Sequence, residues 1–151
     1  MSQPPKIEII HEDHGFKHTV LWVSRHRPLS AQISALKKKL GSIRVVMLSG
    51  VVPNAEYVLD VIMKYNADIV VPVLPLSFIA RLVELSRKYG FTVLLARMEA
   101  IAQTTKEKAE KLVAEAPDRR TMTTYADGSV KVHEFKGFKK IVKVEVITES
   151  W

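Results

Sequence analysis

Thr19-Val20-Leu21-Trp22-Val23-Ser24-Arg25-His26-Arg27-Pro28 decides the reading of this chain. Its first five residues are continuously apolar or β-branched. That is the pattern of a strand buried on both faces of a parallel sheet, where no solvent-facing alternation is required. The run then changes within one residue to a polar, cationic turn, and Pro28 ends it. A helix is expected next, from about Ser30 to Leu40. Leu29, Ile33, Leu36 and Leu40 recur at helical spacing, and Gly41 stands where a helix C-terminus favours glycine.

The same pattern repeats downstream. Ile43 to Leu48 reads as a second apolar strand. Asn54 is a suitable N-cap for a helix buried through Tyr57, Val58, Val61, Ile62 and Tyr65. Ile69 to Val73 reads as a third strand. Ser77 can cap a third helix whose inward side is Phe78, Ile79, Leu82 and Leu85, with Gly90 at its end. Phe91 to Ala96 reads as a fourth strand. Strands alternating with helices of this length imply βαβ units. The expected fold is therefore α/β and Rossmann-like: a mainly parallel sheet with helices on both faces, since crossovers are right-handed.

The two ends carry other elements. Ile7 to Ile10 can add an edge strand. Lys106 to Glu115 reads as a charged helix. Thr121 to Tyr125 and Ser129 to Phe135, joined through Ala126-Asp127-Gly128, read as a β-hairpin. Lys139 to Thr148 alternates apolar and charged residues and is expected to form a last strand. This C-terminal β extension, about 104–149, is expected to extend the sheet or mediate dimerisation. Residues 1–151 are read as a single domain with its core at about 18–98.

Composition narrows the chemistry. Of 151 residues 47% are hydrophobic, enough for a sizeable core, and cysteine is absent. Disulfides, thiolate catalysis and cysteine-ligated zinc are excluded. No apolar run approaches the roughly 20 residues that span a bilayer, and Met1 to Lys6 has no apolar stretch of signal type. A cytoplasmic protein without membrane contact is expected. The formal charge is +7, which favours anionic partners. Part of it has plainer explanations. Lys37-Lys38-Lys39 complements a helix dipole, Lys106 to Lys111 alternates with Glu107 and Glu110 as a solvated face does, and Lys/Glu enrichment without cysteine suits a thermophile.

Ligands of a doubly wound sheet bind beyond the carboxyl ends of its strands, where the strand order reverses. An order of 2-1-3-4 for the four strands would put Ser24 to Pro28 beside Leu74-Pro75-Leu76-Ser77. Arg25 and Arg27 offer forked phosphate donors. His26 can hydrogen-bond or carry a proton near neutral pH. Ser24, Ser49, Leu74, Pro75 and Ser77 complete the rim, with Gln32 reaching back from the first helix. Arg97 and Glu99 either line the same rim or pair with each other on the surface. Ser77 is equally well a plain helix cap, and Gln32 a solvated helix residue. No G-x-G-x-x-G and no Walker A sequence occurs. His11-Glu12-Asp13-His14 with His18 has no zinc spacing and reads as a polar turn around Gly15. With few carboxylates near the rim, a two-metal hydrolytic site is not expected, and no cofactor is implied.

Leu21-Trp22-Val23-Ser24-Arg25-His26-Arg27-Pro28-Leu29, with Gln32 and the later Val73-Leu74-Pro75-Leu76, resembles the small stand-alone CRISPR-associated ring-nuclease families. These are relatives of the CRISPR-associated Rossmann-fold domain, and the resemblance covers residues 19 to 98. The C-terminal part, around Phe138 to Val146, is similar instead to uncharacterised archaeal and mobile-element proteins. The first resemblance implies an antiviral-defence protein that binds cyclic oligoadenylate across a homodimer. It also implies metal-free cleavage, in which a ribose 2′-OH attacks the adjacent phosphate. Arg25 and His26 would be catalytic, with Ser24 and Ser77 on phosphate or ribose. Two other readings stand beside it. One is a non-catalytic nucleic-acid-binding accessory protein using Lys131, Lys136, Lys139, Lys140 and Lys143; the other is a purely structural dimer.

Overall fold

A computed structural model describes residues 4–151. The fold is α/β: seven strands form a mixed sheet in the order β1-β3-β2-β4-β5-β7-β6, with four helices. The chain divides into two compact units. One comprises residues up to 27, 40–95 and 140–151; the other comprises 28–39 and 96–139.

The first unit holds the parallel strands. Strand β2 (His18–Val23) lies between β3 (Ile43–Ser49) and β4 (Ile69–Pro72) and is parallel to both. Strand β5 (Thr92–Thr104) begins in this unit, parallel to β4. The order β3-β2-β4-β5 is the 2-1-3-4 arrangement on which the expected rim depends. Strand β1 (Lys6–Glu12) pairs antiparallel with β3, which makes the sheet mixed. Val20, Leu21, Trp22 and Val23 are all buried, as a continuous apolar run requires. Each fully buried aliphatic side chain of this kind contributes about 1.5–3 kcal/mol relative to exposure.

Helices α2 (Ala55–Tyr65) and α3 (Leu76–Tyr89) pack on this core through Val58, Val61, Ile62, Ile79, Leu82 and Val83. Asn54 caps α2 by accepting from Tyr57 N–H at 2.8 Å. Asn66 ends α2 in the left-handed region, with φ 53°. Gly90 ends α3 with φ 76°, a conformation that costs glycine nothing. Ser77 does not cap α3. The helix begins one residue earlier, at Leu76, and Pro75 stands at the cap without a side-chain bond. The carbonyl of Pro75 accepts from Phe78 and Ile79, and the fixed φ of proline prepares that turn.

The second unit holds helix α1 (Ser30–Leu40), the remainder of β5, α4 (Lys106–Glu115), β6 (Arg120–Thr124) and β7 (Val130–Lys140). β6 and β7 form the expected antiparallel hairpin. Ala109, Val130 and Val132 are its buried centre. Glu134 accepts from Arg120 at 2.9 Å and also binds Lys136. Lys136 and Arg120 together hold its carboxyl below the usual range.

Two expected strand limits change. The fourth strand continues from Thr92 through Thr104, so Arg97 and Glu99 lie within β5 rather than after it. The expected strand from Lys139 to Thr148 does not form, because β7 ends at Lys140. Ile141 and Val144 pack against the core of the first unit. Their spacing of three is incompatible with strand alternation. Val142 and Val146 are exposed, and the Val142 carbonyl accepts from Arg87 at 2.6 Å instead of from a neighbouring strand.

Candidate functional site

The carboxyl ends of three adjacent strands form the rim of the first unit. Val23 is in register with Leu48 on β3 and with Pro72 on β4. Ser24 N–H donates to the Leu48 carbonyl at 3.1 Å, and Val73 N–H donates to the Val23 carbonyl at 2.8 Å. The turn after β2, Ser49 at the end of β3, and Leu74-Pro75 after β4 therefore leave the sheet side by side. Ser77 is exposed in the first turn of α3.

Within the turn after β2, Ser24 is buried and sets the path of the next two residues. Its Oγ accepts from the His26 backbone N–H at 3.1 Å, a side-chain turn that bends the chain two residues on. Trp22, itself buried in β2, donates its indole N–H to the His26 carbonyl at 3.0 Å. The His26 peptide is thus held at both ends while its residue is exposed. This places Ser24 in a positioning role. Its Oγ remains able to donate, so contact with a ligand is also chemically open to it.

The two arginines differ. Arg27 donates to Glu8 on β1 at 2.7 Å, and Lys6 lies 3.9 Å from the same carboxylate. Arg27 is exposed and Glu8 half-buried, both open to solvent, so the pair is worth about 0–1 kcal/mol, and an anion of higher charge can displace Glu8. Arg25 is exposed and makes no ion pair among the described residues. Its guanidinium is the better placed of the two to meet a phosphate.

Gln32 belongs to the other unit and is buried there. Its Oε1 accepts from Leu29 N–H at 2.7 Å, and its Nε2 lies 3.6 Å from the Met98 sulfur. The first contact is half of a capping box: a third-position Gln satisfies the backbone donor at the helix entrance. Arg97 and Glu99 also fall in the second unit, two apart on one side of β5.

A cavity of about 440 Å³ opens at the opposite, amino-terminal ends of the strands. Phe16, His18, Arg44, Tyr65 and Asp68 line it. Asp68 accepts from Thr19 N–H at 2.9 Å and binds the His18 imidazole, clipping the start of β2 to the residue before β4. Arg44 donates to the Tyr65 carbonyl at 2.8 Å, where a cation offsets the negative end of α2. Its guanidinium also lies 4.7 Å from the Phe16 ring centre. Sequence reasoning missed this cluster. The available signals were one arginine inside an apolar strand and one aspartate immediately before another. These side chains mainly satisfy strand starts and a helix end.

Of the expected polar turn, His11 and Glu12 lie in β1, and Asp13 follows them in the turn before β2. His11 Nε2 lies 2.9 Å from Asp13, and Asp13 accepts from Ile43 N–H at 3.0 Å. No group of three His, Asp or Glu side chains suited to a metal occurs among the described residues. No helix among them is long and apolar enough to cross a membrane.

No protein-family model, curated protein or solved structure matches this chain.

Proposed function

We propose that this chain is a Rossmann-like receptor for cyclic oligoadenylate, and that it cleaves its ligand as a metal-independent ring nuclease. The observation carrying this reading is the adjacency of three strand ends: Ser24-Arg25-His26 after β2, Ser49 ending β3 and Leu74-Pro75 after β4. It meets the requirement that ligands of such sheets bind where strand order reverses. The step from an anion to this particular ligand rests on the resemblance of residues 21–29 and 73–76 to the ring-nuclease families.

The chemistry asked of these residues is small in number of parts. A ribose 2′-oxygen bonds to the adjacent phosphorus, the bond to the 5′-oxygen breaks, and a 2′,3′-cyclic phosphate remains. Arg25 neutralises the charge building on the non-bridging oxygens, where preorganised donors act most strongly. The His26 imidazole gives a proton to the departing 5′-oxygen or receives one from the 2′-hydroxyl. Ser24 and Trp22 fix the peptide that carries it. Arg27, once released from Glu8, and Ser77 bind flanking phosphate or ribose. A ring with twofold symmetry is shared by two copies of the chain.

The test is incubation of the protein with cyclic tetra-adenylate and cyclic hexa-adenylate in chelator, with products separated by chromatography. Linear products ending in a cyclic phosphate, abolished by His26→Ala and Arg25→Ala, support the reading. Intact rings with a thermal shift reduce it to a receptor. Intact rings with no thermal shift overturn it.

A further inference from the structure

The positive charge of the chain is unevenly shared. The second unit carries twelve Lys and Arg against seven Asp and Glu, so +5 of the total +7 resides in 56 residues. A groove of about 370 Å³ runs along this unit. Ala31, Ser34, Ala35 and Lys38 of α1 form one side, and Arg119 with Glu134 to Gly137 of β7 forms the other. The α1 residues recur at spacings of three and four, hence on one face. Three of the four are small, which leaves the groove open along the helix.

From this arrangement we infer a second binding surface, a groove for the backbone of single-stranded nucleic acid. Lys38, Arg119 and Lys136 supply three cations to it. The one carboxylate in its lining, Glu134, is held by Arg120, and a phosphate must displace its bond to Lys136 before Lys136 can bind that phosphate. Arg119 pairs with the exposed Asp118, at 3.5 Å, a contact that phosphate replaces readily. Lys37 and Lys39 flank Lys38 on the last turn of α1. Lys38 and Arg119 come from α1 and the turn before β6. The surface shares Lys136 with the lysine set of the C-terminal β extension, Lys131 to Lys143, and differs from it in Lys38 and Arg119. Within that set, Lys131 lies over Tyr125 and Lys143 pairs with Glu145.

Fluorescence anisotropy with labelled twelve-nucleotide oligouridylate and oligothymidylate tests this surface without reference to the rim site. Neutralising three phosphates of a single strand gives a slope of about −2 in log affinity against log salt. The groove variant Lys38→Gln/Arg119→Gln/Lys136→Gln is expected to weaken binding at least about tenfold at low salt and to bring the slope near zero. The control Lys106→Gln/Lys108→Gln/Lys111→Gln removes the same charge from α4 in the same unit and is expected to change affinity less than about threefold. Ala35→Leu, which fills the groove without altering charge, keeps the test decisive if the triple variant unfolds; it is expected to weaken binding comparably. Equal losses in groove and control variants overturn the inference, because they mark a diffuse charge effect. Absence of binding at low salt overturns it too, as does displacement of the oligonucleotide by polyglutamate at equal charge concentration.

Discussion

Replacing Ser24 with alanine removes one acceptor from the turn that presents His26. In the native protein the His26 N–H donates to Ser24 Oγ at 3.1 Å, while its carbonyl is held by Trp22 at 3.0 Å. The His26 residue is exposed, so its freed N–H turns to water and no buried donor is left unpaired. The loss is then the net worth of one hydrogen bond, about 0.5–1.5 kcal/mol. If the turn opens locally, the opening equilibrium rises by about 2- to 13-fold, since 1.36 kcal/mol is a factor of ten. Amide hydrogen exchange at His26 reads this directly and needs no ligand. The Ser24→Ala protein is expected to exchange faster at His26 by that factor, with exchange at Leu21 and Val46 unchanged. Unaltered exchange at His26 would refute the idea that Ser24 holds the turn. Equal acceleration across β2 and β3 would show instead that Ser24 supports the sheet as a whole.

Packing and charge give three further expected outcomes. Leu82 is fully buried between α3 and the core, so Leu82→Ala is expected to cost about 2–5 kcal/mol in urea unfolding. Gly50 has φ +97°, and an added Cβ would stand 3.0 Å from the Pro4 carbonyl oxygen. Gly50→Ala is therefore expected to cost about 1–3 kcal/mol, and a loss below about 0.5 kcal/mol, the scale of an ordinary surface substitution, would contradict the strain. Glu134 titrates below the ordinary carboxylate range in the folded protein because Lys136 and Arg120 bind its anion. A depressed folded value means its contribution is full above the unfolded carboxylate pKa and disappears as pH falls through the folded one. The urea midpoint is expected to fall on acidification less steeply in Glu134→Gln than in the native protein.

The parallel strands were legible because burial on both faces leaves a mark that polar elements cannot imitate. Val20 to Val23 and Val45 to Leu48 are apolar without interruption, and each is followed by a helix of 3.6-residue periodicity. The limits of β5 and of the C-terminal segment were not legible. Arg97, Glu99 and Gln103 alternate with apolar residues, broken only at Ile101, and this half-exposed stretch is part of a strand. The same alternation in Lys139 to Thr148 is carried by residues that pack at positions 141 and 144. Only tertiary partners, here Val93 and Arg87, distinguish the two. At the rim, residue types suggested chemistry, but the roles depended on neighbours far along the chain. Nothing local tells that Arg27 pairs with Glu8, or that Gln32, besides its local bond to Leu29, lies against Met98.

The division of the chain into units bears on how it is made. Helix α1 joins its own unit through Ala31 N–H, which donates to the Asp118 carbonyl at 3.0 Å, yet residues 40–95, which build the other unit, are synthesised between those two partners. The four parallel strands in turn receive Ile141 and Val144 only after the hairpin is complete. A nascent chain halted before Ile141 therefore has every parallel strand and an uncovered patch of core. The second unit can close once Lys139 has emerged, whereas the first cannot close until residues 140–151 follow it. Such non-local closure slows folding relative to a chain of the same size built from neighbouring segments. For this protein, the arrival of the segment beyond Lys140 decides when that patch of core is covered.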